Sequence, residues 1–180
     1  MLKQLPNLIT IVRIVLVPII GMYILKGQHL AAFITLMVAG ASDGLDGFLA
    51  RRMKARTLVG AYLDPLADKI LVGVVYLTMA YVNLLPWWFV VIIICRDLLI
   101  LAGIAFLRLH AITVSMNPTF LSKVNTTFQI LLLLFVLLNE LCSYYLYPFI
   151  FVALGVVLTT TILSAIQYVA WGIKLYGKET

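Results

Sequence analysis

The sequence predicts an all-α membrane protein in which six transmembrane helices form one bundle. Of its 180 residues, 64% are apolar and only 11% are charged, and the mean hydropathy is +1.12. Six stretches each offer about 20 predominantly apolar residues, the length that crosses the hydrocarbon of a bilayer. Lysine and arginine concentrate at the ends of these stretches that share one side of the membrane. This composition excludes a disordered chain and a disulfide-stapled secreted domain.

The six apolar stretches give the expected helices in chain order. They are Leu8 to Leu25, Leu30 to Ala50, Leu58 to Val82, Trp87 to Leu107, Lys123 to Cys142 and Tyr147 to Tyr168. Arg13 interrupts the first stretch and no small-residue cleavage site follows it, so we expect mature structure there and not a signal peptide. Without internal repeats or low-complexity segments, residues 1–180 are predicted to form a single domain.

The basic residues predict the orientation in the membrane. Those on one side are Lys3, Arg51, Arg52, Lys54, Arg56, Arg108, Lys123, Lys174 and Lys178. The other side carries only Lys26, so both termini are expected to be cytoplasmic. The net charge of +6 is spread along the chain, which favours anionic phospholipid and not nucleic acid as partner. Since no presequence precedes Leu2, a bacterial inner membrane is the expected location.

The cysteines and histidines give no functional signal. Cys95 and Cys142 lie in or beside apolar stretches without metal-binding or redox spacing, so we expect both to pack as small apolar side chains. His29 and His110 are expected to lie in loops without a functional role.

The acidic residues carry the main functional signal. Four of the seven fall within 26 positions, namely Asp43, Asp46, Asp64 and Asp68. Spacings of three and four residues place each pair on one face of its helix. A central charge costs roughly 2.5 to 3.5 kcal/mol on insertion scales, so four unpaired carboxylates at membrane depth would cost on the order of 10 kcal/mol. Three compensations remain open: neighbouring Arg51, Arg52 and Lys69, protonation, or a divalent cation.

The type of ligand favours the cation. Carboxylates without histidine or cysteine suit Mg²⁺ or Mn²⁺, and carboxylates together with substrate phosphates are the usual magnesium arrangement. Gly44, Gly47 and Gly60 leave little side-chain bulk beside the acids, so a bulky ligand or a closely packed helix would have room there.

The segment 43–68 reads D-x2-D-G-x2-A-R-x8-G-x3-D-x3-D. At every fixed position it resembles the signature of the CDP-alcohol phosphatidyltransferases. The resemblance implies a six-helix membrane enzyme, commonly a homodimer, that transfers a phosphatidyl group from a CDP-linked lipid to an alcohol and releases CMP. It implies that Asp43, Asp46 and Asp64 hold the metal, and that Asp68, beside them at the metal, is the general base.

The same resemblance implies a site for the donor nucleotide and its diphosphate. In the signature it consists of Gly47, Ala50, Arg51 and Gly60. The opening Pro6 to Arg13 is similar to the P-N-x2-T-x2-R element of the phosphatidylglycerophosphate synthase and cardiolipin synthase branches, and adds Asn7 and Thr10 to that site.

The choice of acceptor depends on later residues. The run P-T-F-L-S-K-V-N-T at 118–126 resembles the CMP-forming cardiolipin synthase branch, whereas the glycerophosphate-using branch typically carries Lys-x-Lys-Thr there. One basic residue is therefore missing, which fits the single charge of phosphatidylglycerol better than dianionic glycerol 3-phosphate. The expected acceptor-phosphate residues are Lys123, Arg96, Arg13 and Asn125.

Alternative interpretations stay open at this point. Arg13 could extend to the cytoplasmic interface, Arg96 could form an ion pair with Asp97 or a motif acid, and Lys123 could be an ordinary basic anchor. Phosphatidylglycerophosphate synthase is the alternative within the family. A cation transporter or channel is the alternative from another class, although the outward half of the bundle offers almost no ionisable residue to continue an ion path. A scaffold with a structural metal leaves the small residues beside the acids unexplained.

Overall fold

The computed structural model describes the backbone of residues 5–53, 58–109, 120–142 and 145–179, and the side chains of 12–42, 69–106, 109, 121–142 and 145–172. Every regular element in these ranges is an α-helix. The helices are α1 (Leu5–Leu25), α2 (His29–Met53), α3 (Leu58–Tyr81), α4 (Trp87–Leu109), α5 (Phe120–Leu141) and α6 (Tyr147–Glu179). The prediction of an all-α chain with six helices is confirmed.

The chain forms two compact units, residues 1–85 with 133–146 and residues 86–132 with 147–180. In the first unit, α1 packs against both α2 and α3. Its buried apolar side chains include Ile20, Ile24, Leu36, Val75, Tyr76, Met79 and Leu137. In the second unit, α4 packs against α6, and buried side chains include Phe89, Ile93, Leu132 and Val157.

Local backbone geometry explains where α1 and α3 end. Gly27 has a φ of 68° and Asn83 a φ of 60°, the left-handed conformation that closes a helix. At α1 the Gly27 N–H donates to the Ile24 carbonyl and the Gln28 N–H to the Tyr23 carbonyl, at 3.0 and 2.9 Å. This pair of bonds is a Schellman motif, which satisfies carbonyls at the helix end. The same two bonds, from the N–H groups of residues 83 and 84, close α3.

In the first unit, polar contacts are present at the start of α2 and at the end of α5. His29 Nε2 lies 3.9 Å from Glu140 Oε2, which links the start of α2 to the end of α5. The buried Asn139 accepts a hydrogen bond of 3.1 Å from the Leu146 N–H and thereby ties the α5–α6 connection to α5. The expectation that His29 lies in a loop was wrong, since it is the first residue of α2. His110 lies outside the described residues.

Three helices in the described part of the chain are long and apolar enough to cross a membrane: Trp87–Phe106, Leu121–Leu141 and Tyr147–Gly172. Shorter apolar helical segments are Val12–Leu25, His29–Ser42 and Lys69–Tyr81. Large apolar side chains of α6 are exposed, among them Phe149, Phe151, Leu163 and Ile166. Such surfaces are stable against lipid and not against water. Six complete membrane crossings remain a prediction.

Two details differ from expectation. Helix α6 extends to Glu179, eleven residues beyond the expected end at Tyr168. Hydropathy detects only the length of helix inside the hydrocarbon, whereas the helix itself continues as long as its backbone hydrogen bonds continue. The expectation that Cys95 and Cys142 pack as small apolar side chains was wrong, since both are exposed free thiols, Cys95 on α4 and Cys142 in the turn after α5.

Candidate active site

The motif aspartates lie on two helices of the first unit. Asp43 and Asp46 lie three residues apart on α2, and Asp64 and Asp68 four residues apart on α3. The helical spacing predicted for each pair is therefore present, which gives each pair one helix face. Their side chains lie outside the described residues. Among the described side chains, no group of three potential metal ligands occurs.

The predicted donor-site residues lie on the same helices as the aspartates or on α1. Helix α1 carries Asn7 and Thr10, α2 carries Gly47, Ala50 and Arg51, and α3 carries Gly60. Because α1 packs against both α2 and α3, the first unit brings together the three helices that bear the whole predicted donor site. The contacts of these side chains lie outside the described residues, so their roles stay predictions.

Arg13 is the described member of the predicted acceptor set in the first unit. It is only 2% exposed, although it interrupts an apolar helix. A side chain that extends to the aqueous interface would be exposed at its charged end. The burial of Arg13 therefore disagrees with this alternative, which the sequence left open. Burial of an arginine requires compensation by hydrogen bonds or charge, so Arg13 is part of the internal polar structure of this unit.

Arg96 lies in the second unit, at the tenth of the twenty residues of the apolar α4 segment. Its side chain is buried and binds partners on three helices. Nη1 donates to Asp97 Oδ1 at 2.6 Å, while Nη2 donates to Ser122 Oγ on α5 at 2.9 Å and to Ser164 Oγ on α6 at 2.5 Å. The ion pair with Asp97 that the sequence left open is present. These bonds offset the cost of a cation in an apolar segment and connect α4 to α5 and α6.

Asn125 is fully buried one helical turn beyond Ser122 on α5. Its Oδ1 accepts hydrogen bonds from the Thr160 and Thr161 hydroxyls of α6, at 2.8 and 2.9 Å. Its Nδ2 is buried without a hydrogen-bond partner in the described part of the chain, as is Nε of Arg96. Two N–H donors of this unit are thus buried without an acceptor in the described part of the chain.

We name the residues that form these bonds the polar cluster. It consists of Arg96, Asp97, Ser122, Asn125, Thr160, Thr161 and Ser164. It brings together Arg96 and Asn125, which the sequence predicts for acceptor binding. Lys123, the third predicted residue of this unit, is exposed next to Ser122 on α5. Uncompensated donors in such a cluster favour an anion, so its chemistry fits a phosphate group.

The α6 members of the polar cluster were missed by the sequence analysis, which found no signal in the last apolar stretch. Thr161 and Ser164 are buried hydroxyl residues three positions apart, so they share one face of a long apolar helix. On α5, Ser122, Asn125 and Gln129 likewise share a face. Such i, i+3 polar spacing inside apolar segments was the available signal.

Comparison with known proteins agrees with the motif. Residues 3–163 match the sequence model of the CDP-alcohol phosphatidyltransferases. The chain belongs to this family. The prediction made from the D-x2-D-G-x2-A-R-x8-G-x3-D-x3-D pattern is therefore confirmed, and membership of this enzyme family supports an enzyme over a cation transporter or channel.

Within the family, the chain resembles enzymes that differ in acceptor. A chloroplastic CDP-diacylglycerol–glycerol-3-phosphate 3-phosphatidyltransferase of Oryza sativa is 39% identical over 95% of this chain and 56% of its own length. A CMP-forming cardiolipin synthase of Homo sapiens is 35% identical over 71% of this chain and 48% of its own length. The Bacillus subtilis glycerol-3-phosphate 3-phosphatidyltransferase is 33% identical, over 92% and 93%. The chain thus spans about half the length of the rice and human relatives.

Proposed function

We propose that this protein is a cardiolipin synthase that transfers the phosphatidyl group of CDP-diacylglycerol to phosphatidylglycerol and releases CMP. Family membership and the names of the relatives support the CDP-linked donor. The choice of acceptor depends on the surroundings of Asn125. We further propose a homodimer, as is common in this family, located in a bacterial inner membrane. Its termini and its active site would lie on the cytoplasmic side, because the basic residues concentrate at those helix ends.

The donor end of the reaction is assigned to the aspartates of α2 and α3. Asp43, Asp46 and Asp64 would hold Mg²⁺ or Mn²⁺, with Asp68 beside them. Their oxygen donors suit such hard cations. When bound by these aspartates, a divalent cation would supply charge neutralisation at the diphosphate and would make its phosphorus more electrophilic. Gly47, Ala50, Arg51 and Gly60 would frame the nucleotide and diphosphate together with Asn7 and Thr10.

Asp68 is assigned the proton transfer. Its carboxylate accepts the proton of the acceptor hydroxyl while the hydroxyl oxygen bonds to the phosphorus that bears the diacylglycerol. The bond from that phosphorus to the bridging oxygen of CMP breaks, and CMP leaves with both bonding electrons. The acceptor therefore gains a phosphodiester, and the proton resides on Asp68 until it is released to water.

The observation that favours phosphatidylglycerol is the hydrogen bonding of Asn125. A lysine at this position, as in the Lys-x-Lys-Thr element, has only donors and could not accept the Thr160 and Thr161 hydroxyls. The cluster is built around a neutral amide, which leaves Lys123 as the basic residue of this element. One lysine matches a phosphodiester with about one negative charge better than a phosphomonoester with about two near neutral pH.

Glycerol 3-phosphate is the second candidate acceptor. The rice and Bacillus relatives, whose names specify it, align with more than nine tenths of this chain. The two candidates also differ in approach, since phosphatidylglycerol reaches the site from the bilayer and glycerol 3-phosphate from water.

An acceptor assay tests the proposal. We expect the purified protein, given CDP-diacylglycerol and Mg²⁺ in mixed micelles, to form cardiolipin with phosphatidylglycerol at a kcat/KM at least about tenfold above that with glycerol 3-phosphate, a preference of about 1.4 kcal/mol. CMP release and mass spectrometry of the lipid product are measured for each acceptor separately. Efficient product from glycerol 3-phosphate and none from phosphatidylglycerol would reject the acceptor and leave family membership intact.

Replacing Lys123 by alanine tests its role at the acceptor phosphate. We expect the apparent acceptor KM to rise about tenfold while the donor KM changes less than about twofold. The variant loses one charged hydrogen bond, and only to the acceptor. That bond is of moderate strength because Lys123 is exposed to solvent. Lys26→Ala is the matched control, since Lys26 is also exposed but lies in the α1–α2 turn. Equal KM changes in the two variants would show that Lys123 is an ordinary basic anchor.

A further inference from the structure

In the polar cluster the Asn125 amide has its oxygen towards the hydroxyls of Thr160 and Thr161. Thr161 is 1% exposed, and in the described part of the chain its hydroxyl bonds to Asn125 Oδ1 and to nothing else. Were the amide rotated by half a turn, Nδ2 would face Thr161 and the hydroxyl proton would lose this acceptor. Thr160 constrains the amide less, because its hydroxyl also reaches the Val156 and Val157 carbonyls at 2.9 and 3.0 Å.

The orientation leaves the Asn125 N–H₂ group directed away from these two hydroxyls. A buried donor without a partner costs about 1–3 kcal/mol, and such groups in a folded protein call for an explanation. The cluster holds a second one, Nε of Arg96. Both are donors and neither is an acceptor, so they suit an anionic oxygen.

We infer that Thr161 is a positioning residue for the acceptor: its hydroxyl holds the Asn125 amide so that the N–H₂ group, and not the carbonyl oxygen, is presented to an acceptor phosphate oxygen. This inference rests on the proposed function and on the sequence-based expectation that Asn125 is one of the acceptor-phosphate residues. It assigns a role in acceptor binding to α6. A reversed amide would present a lone pair to the phosphate and repel it.

Thr161→Val tests the inference, since valine keeps the shape of threonine and lacks the hydroxyl. We expect the apparent acceptor KM to rise about fivefold to tenfold, with the donor KM unchanged within about twofold. Thr161→Ser, which keeps the hydroxyl, should restore the wild-type acceptor KM. Thr159→Val is the matched control, because Thr159 is exposed on the same helix and, among the described residues, its hydroxyl bonds only the Gly155 carbonyl one turn earlier.

A double-mutant cycle separates positioning from general destabilisation. Since Thr161 acts through the amide, Thr161→Val should change the acceptor KM less than about twofold when Asn125 is already alanine. Thermal unfolding in detergent checks that each variant is folded, and Thr161→Ala replaces the valine variant if that one does not fold. An acceptor KM like that of Thr159→Val, or an equal effect in both backgrounds, would overturn the inference.

The acceptor used in these measurements keeps the two proposals distinguishable. Both phosphatidylglycerol and glycerol 3-phosphate carry phosphate oxygens, so the KM values are determined with whichever one the wild-type protein uses. Failure of the proposed function appears as a different acceptor in the wild type. Failure of the inference appears in the variants and their cycle, whatever the acceptor.

Discussion

Replacing Asp43 by asparagine should lower the turnover of CDP-diacylglycerol about a thousandfold. Metal coordination by carboxylates contributes several kcal/mol of charge stabilisation at a phosphoryl group, and about 4 kcal/mol corresponds to this factor. Asp46→Asn and Asp64→Asn should behave alike, since all three carboxylates are assigned to the same cation. The measurement is CMP release by purified protein at saturating Mg²⁺, together with equilibrium binding of CDP-diacylglycerol, which should weaken in parallel.

The matched control for these variants is Glu140→Gln. It removes one carboxylate charge from the same unit, where Glu140 Oε2 lies 3.9 Å from His29 Nε2. We expect turnover within about threefold of wild type, as for most substitutions away from a site. The wild-type protein should lose CMP release in excess chelator and regain it when Mg²⁺ or Mn²⁺ is restored. Full CMP release in excess chelator would rule out a metal-dependent reaction.

Asp68→Asn should also lower turnover strongly, by about 10²- to 10⁴-fold, with little change in donor affinity. General-base catalysis contributes a factor of this size, because the acceptor hydroxyl is a weak nucleophile until its proton is taken. Asparagine keeps the size of the side chain and cannot accept that proton. Single-turnover CMP release and the equilibrium affinity for CDP-diacylglycerol are measured on the same preparation.

Comparison with Asp43→Asn makes this test specific. Both variants replace one motif carboxylate by an amide, so they differ only in the role we assign to each aspartate. Affinity for CDP-diacylglycerol should fall in Asp43→Asn and stay within about threefold of wild type in Asp68→Asn. If Asp68→Asn loses donor binding as severely, Asp68 is mainly a metal ligand and the base must be sought elsewhere.

Much of the fold could be predicted from the sequence because its determinants are local. Apolar stretches of about 20 residues, separated by turn-forming residues, define α1 to α6 within a few positions at most ends. Gly27 and Asn83 stand where helices end because these residues adopt the left-handed conformation most readily. The expected end of α6 was the largest error, since hydropathy does not detect a helix that continues past the apolar stretch.

The family was also predictable from the sequence alone. Residues at fixed spacings along α2 and α3 form a pattern that requires no knowledge of other helices. The match to the family's sequence model confirms the family that this pattern indicates. The sequence likewise identified Arg96, Lys123 and Asn125 as residues of interest. It did not distinguish a phosphate contact from an internal structural role for Arg96, because Ser122 and Ser164 become its partners only once α4, α5 and α6 are placed.

The sequence by itself determined the helices, the membrane character and the aspartate motif, since each depends on neighbours within a few turns of one helix. Only the tertiary structure decided that Arg13 is buried, that Ser164 binds Arg96, and that Thr161 donates a hydrogen bond to Asn125. Thr161 and Asn125 are 36 residues apart, and their contact depends on the register and rotation of α6 against α5. The many small contacts that set this register leave no local pattern in the sequence.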